Sequence, residues 1–219
     1  MIDIHNWTEQ FVSALDNTFP GRVRFIGLQG SYSRGEATDT SDIDMVVILD
    51  ELGYDDVRRY SDMLDTLPHR ELACGFLSCK ADLSCWDVPD LFQLYHDTVP
   101  IRGDLGSLIP PITDGDILRA IKAGLCSIYH ICVHNSVYGK KESTLRGLYK
   151  SASFVVQAIV YRQQGEFVRQ LSDLLEKADE PEKPIIRAFM DMKSGKDAEF
   201  AACSETLFKW AHYRINSLE

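Results

Sequence analysis

The chain has 219 residues, 45% hydrophobic and 26% charged, which suits one large or two small globular domains and excludes a disordered or collagen-like chain. Asp and Glu outnumber Lys and Arg by 33 to 23, for a formal net charge of −10. That balance argues against nucleic acid as a partner, because an acidic surface repels a polyanion, but it leaves room for a single nucleotide whose charge a metal and a few local donors offset.

Residues 4 to 18 bring Trp7, Phe11 and Leu15 onto one face at helical spacing. The opening MIDIHNWTEQ lacks the basic start and apolar run of a signal peptide. No stretch approaches the ~18 uninterrupted apolar residues of a membrane span, so the cytoplasm is the expected location, with no membrane partner. Pro20-Gly21 closes the first helix, and the alternation of Val23 and Phe25 with Arg22 and Arg24 predicts a strand over 22 to 29. A loop and short helix, GSYSRGEATDTSD, follow. Residues 43 to 49, IDMVVIL, are almost continuously apolar, as in a central strand covered on both faces. A helix is expected over 54 to 67, with Val57, Tyr60, Leu64 and Leu67 on one side. A strand is expected over 72 to 78, a short helix from Pro89, and an edge strand over 99 to 103. This alternation indicates a sheet domain with helices.

The character changes at Asp116. Ile117, Ile121, Leu125, Ile128 and Cys132 keep helical spacing, as do Leu145, Leu148, Ala152, Val155 and Ile159. Further helices are expected over 166 to 178, 182 to 193 and 197 to 217, which together make an all-α bundle. The Gly/Pro-rich stretch GDLGSLIPPITDG, 103 to 115, separates a domain at 1–110 from one at 116–219. The fold class expected is therefore α+β: an N-terminal mixed sheet with helices, then a C-terminal helical bundle. The six cysteines include no Cys-x-x-Cys pair and no neighbouring His cluster, so a zinc site is not expected, and buried reduced thiols are.

Chemistry concentrates between Gly30 and Asp44. Gly30-Ser31 ends a strand and opens a helix, where free backbone N–H groups can cradle a phosphate. Arg34, one turn on, can supply charge-assisted hydrogen bonds to it. Residues two apart in a strand point the same way, so Asp42 and Asp44 present two carboxylates on one face. Such a pair suits Mg²⁺, which takes one or two carboxylates plus substrate phosphates.

The stretch GSYSRGEATDTSDIDMVVIL resembles the Gly-Ser, Arg-Gly, Ser-Asp-Ile-Asp signature of the DNA-polymerase-β nucleotidyltransferase superfamily. It is most similar to the minimal nucleotidyltransferases and small antibiotic adenylyltransferases. The resemblance implies that Gly30 and Ser31 hold a nucleoside triphosphate, with ATP the expected donor. It implies that Asp42 and Asp44 bind Mg²⁺ in a one- or two-metal site, and that Arg34 supports the phosphates or the local loop. It implies transfer of a nucleoside monophosphate to a hydroxyl of a small molecule or protein, beside a helical module that commonly helps form the acceptor cleft.

The sequence departs from the pattern in one place. The family usually has a third carboxylate early in the next strand, and here Cys74 aligns with it. Glu71, three residues earlier, is the expected source of a third catalytic carboxylate, ahead of Asp82 and Asp97. The departure keeps alive a second reading, a nucleotide-binding or antitoxin-like module with weak or lost catalysis. A nucleic-acid polymerase is disfavoured by the charge and the absence of a basic stripe.

Overall fold

The computed structural model describes residues 2–196 and 199–218. They fall into two compact units, Met1–Pro111 and Ile112–Glu219. The first is a mixed sheet with helices and the second is all-α, the α+β class expected from the sequence.

In the first unit α1 spans Ile4–Thr18, and its N-cap residue Asp3 accepts hydrogen bonds from the His5 and Asn6 N–H groups. That satisfies two of the orphan donors of the first turn. Trp7, Phe11 and Leu15 are buried. Strand β1 (Val23–Gln29) leads directly into a four-residue helix α2 (Gly30–Ser33). Strand β2 (Ile43–Leu49) follows, then α3 (Tyr54–Leu64), β3 (Ala73–Cys79), α4 (Lys80–Cys85), α5 (Val88–Asp97) and β4 (Val99–Arg102). The sheet order is β3-β2-β1-β4. β1 runs antiparallel to both β2 and β4, whereas β2 and β3 are parallel, joined across α3. This makes β2 an interior strand, and its run of apolar residues follows from that position.

The pleat sorts β2 between two cores. Ile43, Met45, Val47 and Leu49 pack with Trp7, Phe11, Leu15, Met63 and Leu64. Val46 and Ile48 pack on the other face with Phe25, Leu83 and Leu91. Asp44 shares the parity of Val46 and Ile48, on the face where Leu83 of α4 and Leu91 of α5 pack.

The second unit contains α6 (Asp114–His134), a π-helical turn (Asn135–Gly139), α7 (Glu142–Gln164), α8 (Leu171–Lys177), α9 (Lys183–Lys193) and α10 (Phe200–Ser217). Thr113 and Asp116 form a reciprocal capping box at the start of α6. No helix among the described residues is long and apolar enough to cross a membrane.

Some expectations need correcting. Val57 is exposed, and Met63 takes its place in the buried face of α3. Tyr60, Met63, Leu64 and Leu67 sit at i, i+3, i+4 and i+7, and Val57 lies a turn too early to reach the core. Helix α4, with one buried apolar residue, Leu83, was not anticipated. Helix α8 starts at Leu171 rather than 166. Of the expected helix over 197 to 217, residues 197 and 198 lie outside the described residues, and α10 begins at Phe200. Cys79 and Cys132 are buried as expected, but Cys74, Cys85 and Cys126 are exposed.

Candidate active site

The site is built where β1 ends beside the start of β2. Gln29 closes β1 and pairs in register with Asp44 of β2. The next residue, Gly30, has φ +72°, a left-handed conformation that costs a residue with a Cβ about 1–2 kcal/mol. A Cβ built on Gly30 would stand 2.1 Å from Asp44 Oδ2. The missing side chain therefore does two things. It lets the chain turn from strand into helix, and it lets the Asp44 carboxylate lie against that turn.

Ser31 is half-buried at the second position of α2. The Ser33 hydroxyl donates to Gly30 O (2.9 Å), and Glu36 N–H donates to Ser31 O (2.9 Å), which fastens the short helix to the loop after it. Ser41 organises the loop's other end. Its hydroxyl accepts from Thr38 N–H (2.8 Å), and its own N–H donates to Thr38 O (3.1 Å). This turn delivers Asp42 to the mouth of β2. Exposure alternates there: Asp42 is exposed, Ile43 fully buried, Asp44 half-buried and Met45 buried. The alternation is what a common face for the two carboxylates requires.

Arg34 caps α2 at its C-terminal end and reaches sideways. Its Nη1 donates to both carboxylate oxygens of Asp97, at 3.1 and 3.2 Å, and its Nε to Glu36 at 3.5 Å. Of the two roles the resemblance leaves open for Arg34, these contacts belong to support of the loop. Glu71 sits in the 3₁₀ turn Arg70–Leu72 that leads into β3, with an exposed side chain 3.8 Å from His69 Nδ1. The β3 residue paired in parallel register with Asp44 is Cys74, and it is exposed. Cys74 therefore lies beside Asp44 on the neighbouring strand. Asp82 is in the first turn of α4, and Asp97 is occupied by Arg34.

Among the described residues no three His, Cys, Asp or Glu side chains gather into a metal cage. Two hard carboxylates two residues apart, one of them seated in the space a Cβ at Gly30 would fill, still suit Mg²⁺, because that ion commonly completes its shell with phosphate oxygens and water. Asp42 and Asp44 are the residues that would hold it.

The Gly30 turn runs from strand into helix against Asp44 of the interior strand β2, with Asp42 just before that strand. Residues 8–84 match the family model described as a nucleotidyltransferase domain. Two curated relatives from Methanocaldococcus jannaschii, each named "Putative protein adenylyltransferase", are 45% identical over 42 residues and 44% identical over 46 residues. Those matches cover 19% and 21% of this chain and 42% and 46% of the relatives, so the chain spans less than half the length of either. Among solved structures, a spectinomycin adenyltransferase from Enterococcus faecialis, with ATP and spectinomycin, has the same fold over 98% of both chains, with a TM-score of 0.61 and 14% identity.

The sequence did not single out Gln29 or Thr98. Gln29 Nε2 donates to Thr98 Oγ1 at 2.8 Å and to Leu94 O at 3.2 Å, which ties the end of β1 to the end of α5. No local signal marks two residues that far apart in the chain.

Proposed function

We propose that the protein transfers AMP from ATP to a hydroxyl of a small acceptor. The observation that carries this reading is the seating of the Asp44 carboxylate against the Gly30 turn. Backbone N–H groups at Gly30 and Ser31 would hold the triphosphate, and the Ser31 hydroxyl would add a donor. Asp42 and Asp44 would hold Mg²⁺, which when bound neutralises the leaving group and lowers the acceptor's pKa. The acceptor oxygen forms a bond to the α-phosphorus in line as the bond to pyrophosphate breaks. Glu71 would take the acceptor's proton.

A small hydroxylated acceptor, of aminoglycoside-like or lincosamide-like kind, is supported by the likeness to the spectinomycin adenyltransferase over both units, and a net charge of −10 would favour a cationic one. A protein acceptor is the alternative that the names of the curated relatives suggest. Incubation with Mg²⁺, ATP and panels of both kinds of acceptor, read as pyrophosphate release, separates them. Asp42→Asn and Asp44→Asn should each weaken Mg·ATP binding by ~10-fold or more in calorimetry while the fold survives, since each removes a charged metal ligand. Unchanged affinity in both variants rejects the site. The second reading, a binding-only module, is favoured by Cys74 at the place beside Asp44 where a carboxylate is expected. It predicts Mg·ATP binding without turnover on any acceptor.

A further inference from the structure

We propose that Asp97 and Thr98 are positioning residues that grip the Gly30–Ser31 turn from both flanks, Asp97 through Arg34 and Thr98 through Gln29. The consequence for ATP rests on the nucleotide reading above. Asp97 ends α5 and Thr98 follows it, and both are buried, at 7% and 3% exposure. On one flank of the turn, both carboxylate oxygens of Asp97 accept from a single Arg34 nitrogen. On the other, the Thr98 hydroxyl accepts from Gln29 and donates to Leu94 O. The Thr98 methyl carbon lies 2.3 Å from where a Cβ on Gly27 would stand, so only glycine in β1 allows this junction to close on the strand.

Two considerations make this a device for geometry rather than stability. A helix as short as α2 cannot hold its own shape, because nucleation fixes several residues in return for very few hydrogen bonds. Its orientation must come from outside, and the α5–β4 junction supplies a contact at each end of it. Meanwhile α5 is already anchored by Leu91 and Phe92, at 0% and 2% exposure. A largely buried ion pair is seldom needed for stability, since desolvation offsets most of its attraction. What the pair adds is a fixed direction for the turn that carries Gly30 and Ser31.

The test compares Asp97→Asn with Leu91→Val, a core truncation on the same helix, and with the conservative Asp97→Glu. Hydrogen exchange in the free protein reads the brace directly. Asp97→Asn should speed exchange of the 30–34 amides by ~10-fold or more, Asp97→Glu by less, and Leu91→Val hardly at all. Calorimetry then reads the consequence. Asp97→Asn should weaken Mg·ATP by ~10-fold while AMP affinity stays within ~2-fold, because the brace acts on the turn that meets the triphosphate. Unchanged protection in Asp97→Asn overturns the proposal, as does an equal rise in Leu91→Val. Should the wild type fail to bind Mg·ATP, the nucleotide reading falls, and the exchange arm still decides the brace.

Discussion

The two residues that bear on a third carboxylate for the proposed transfer are Glu71 and Cys74. Parallel strands place equivalent residues side by side, so the β2–β3 register sets a thiol next to Asp44. Glu71 lies in the turn just before β3, its side chain 72% exposed. An exposed carboxylate with a weak neighbour is free to swing, and Glu is longer than Asp, which partly makes up for the earlier position. We expect Glu71→Gln to cut turnover by ~10²-fold, the scale of general-base loss, with Mg·ATP affinity within ~2-fold of wild type. Normal turnover in that variant removes Glu71 from the mechanism, and Asp82 is then the next to test. At this scale the sequence was informative wherever the chemistry is local. Gly30 and Asp44 belong to one short stretch of sequence, and the β1–β2 register brings them together. Arg34 and Asp97 are 63 residues apart, and nothing in the spacing says which acid the arginine meets.

Among the elements, the register of β3 depends on how α3 carries the chain across from β2. Arg22, just before β1, fastens that crossover. Its Nε donates to Asp50 at the end of β2 (3.0 Å), its Nη1 to Asp56 in the first turn of α3 (2.7 Å), and its Nη2 to Glu51 O (3.0 Å). Asp56 also accepts from Gly53 N–H at the helix start. The Arg22 hydrogen bond, then that from Gly53, push the Asp56 carboxyl down to about 2 from its ordinary 3.8. A carboxyl depressed by folding stabilises the native state above its unfolded value, and the contribution is lost as pH falls through the folded one. Part of the wild-type stability should therefore disappear between about pH 4 and pH 2. Asp56→Asn should be less stable at neutral pH and lose less on acidification, which urea unfolding at stepped pH measures. Equal acid slopes in the two proteins would show that Asp56 is not the titrating group. The strands of this sheet were legible because β2 is apolar on both faces and the first residues of β1 alternate. Helix α4 was not, since KADLSC offers a single buried residue and hence no period to detect. Val57 had the right period but sits where α3 projects past the core it serves.

In the molecule as a whole, the two units solve burial differently. The first closes apolar layers on both faces of a sheet, and the second relies on helix faces alone, a change the sequence announces where the hydrophobic period lengthens near Asp116. The feature of the second unit that the sequence hid is an ion pair inside it. Glu182, at the start of α9, is completely buried, and Arg214 of α10 reaches it with two nitrogens, Nε to Oε1 and Nη2 to Oε2, the latter at 2.6 Å. Trp210 Nε1 donates to the same carboxylate at 3.2 Å. The pair joins α10 to the turn before α9, and Glu182 raises the arginine's pKa further above its ordinary value. Replacing a whole buried pair by apolar groups is often neutral, but removing one member strands the other charge and costs about 3–5 kcal/mol. Arg214→Met should therefore destabilise the protein on that scale in urea unfolding, with exchange rising first in the amides of α9 and α10. The double variant Glu182→Met, Arg214→Met should recover most of the loss, because no charge is left buried alone. If Arg214→Met instead stays within ~1 kcal/mol of wild type, the Glu182 carboxylate is satisfied by Trp210 and water, and the pair does not anchor α10.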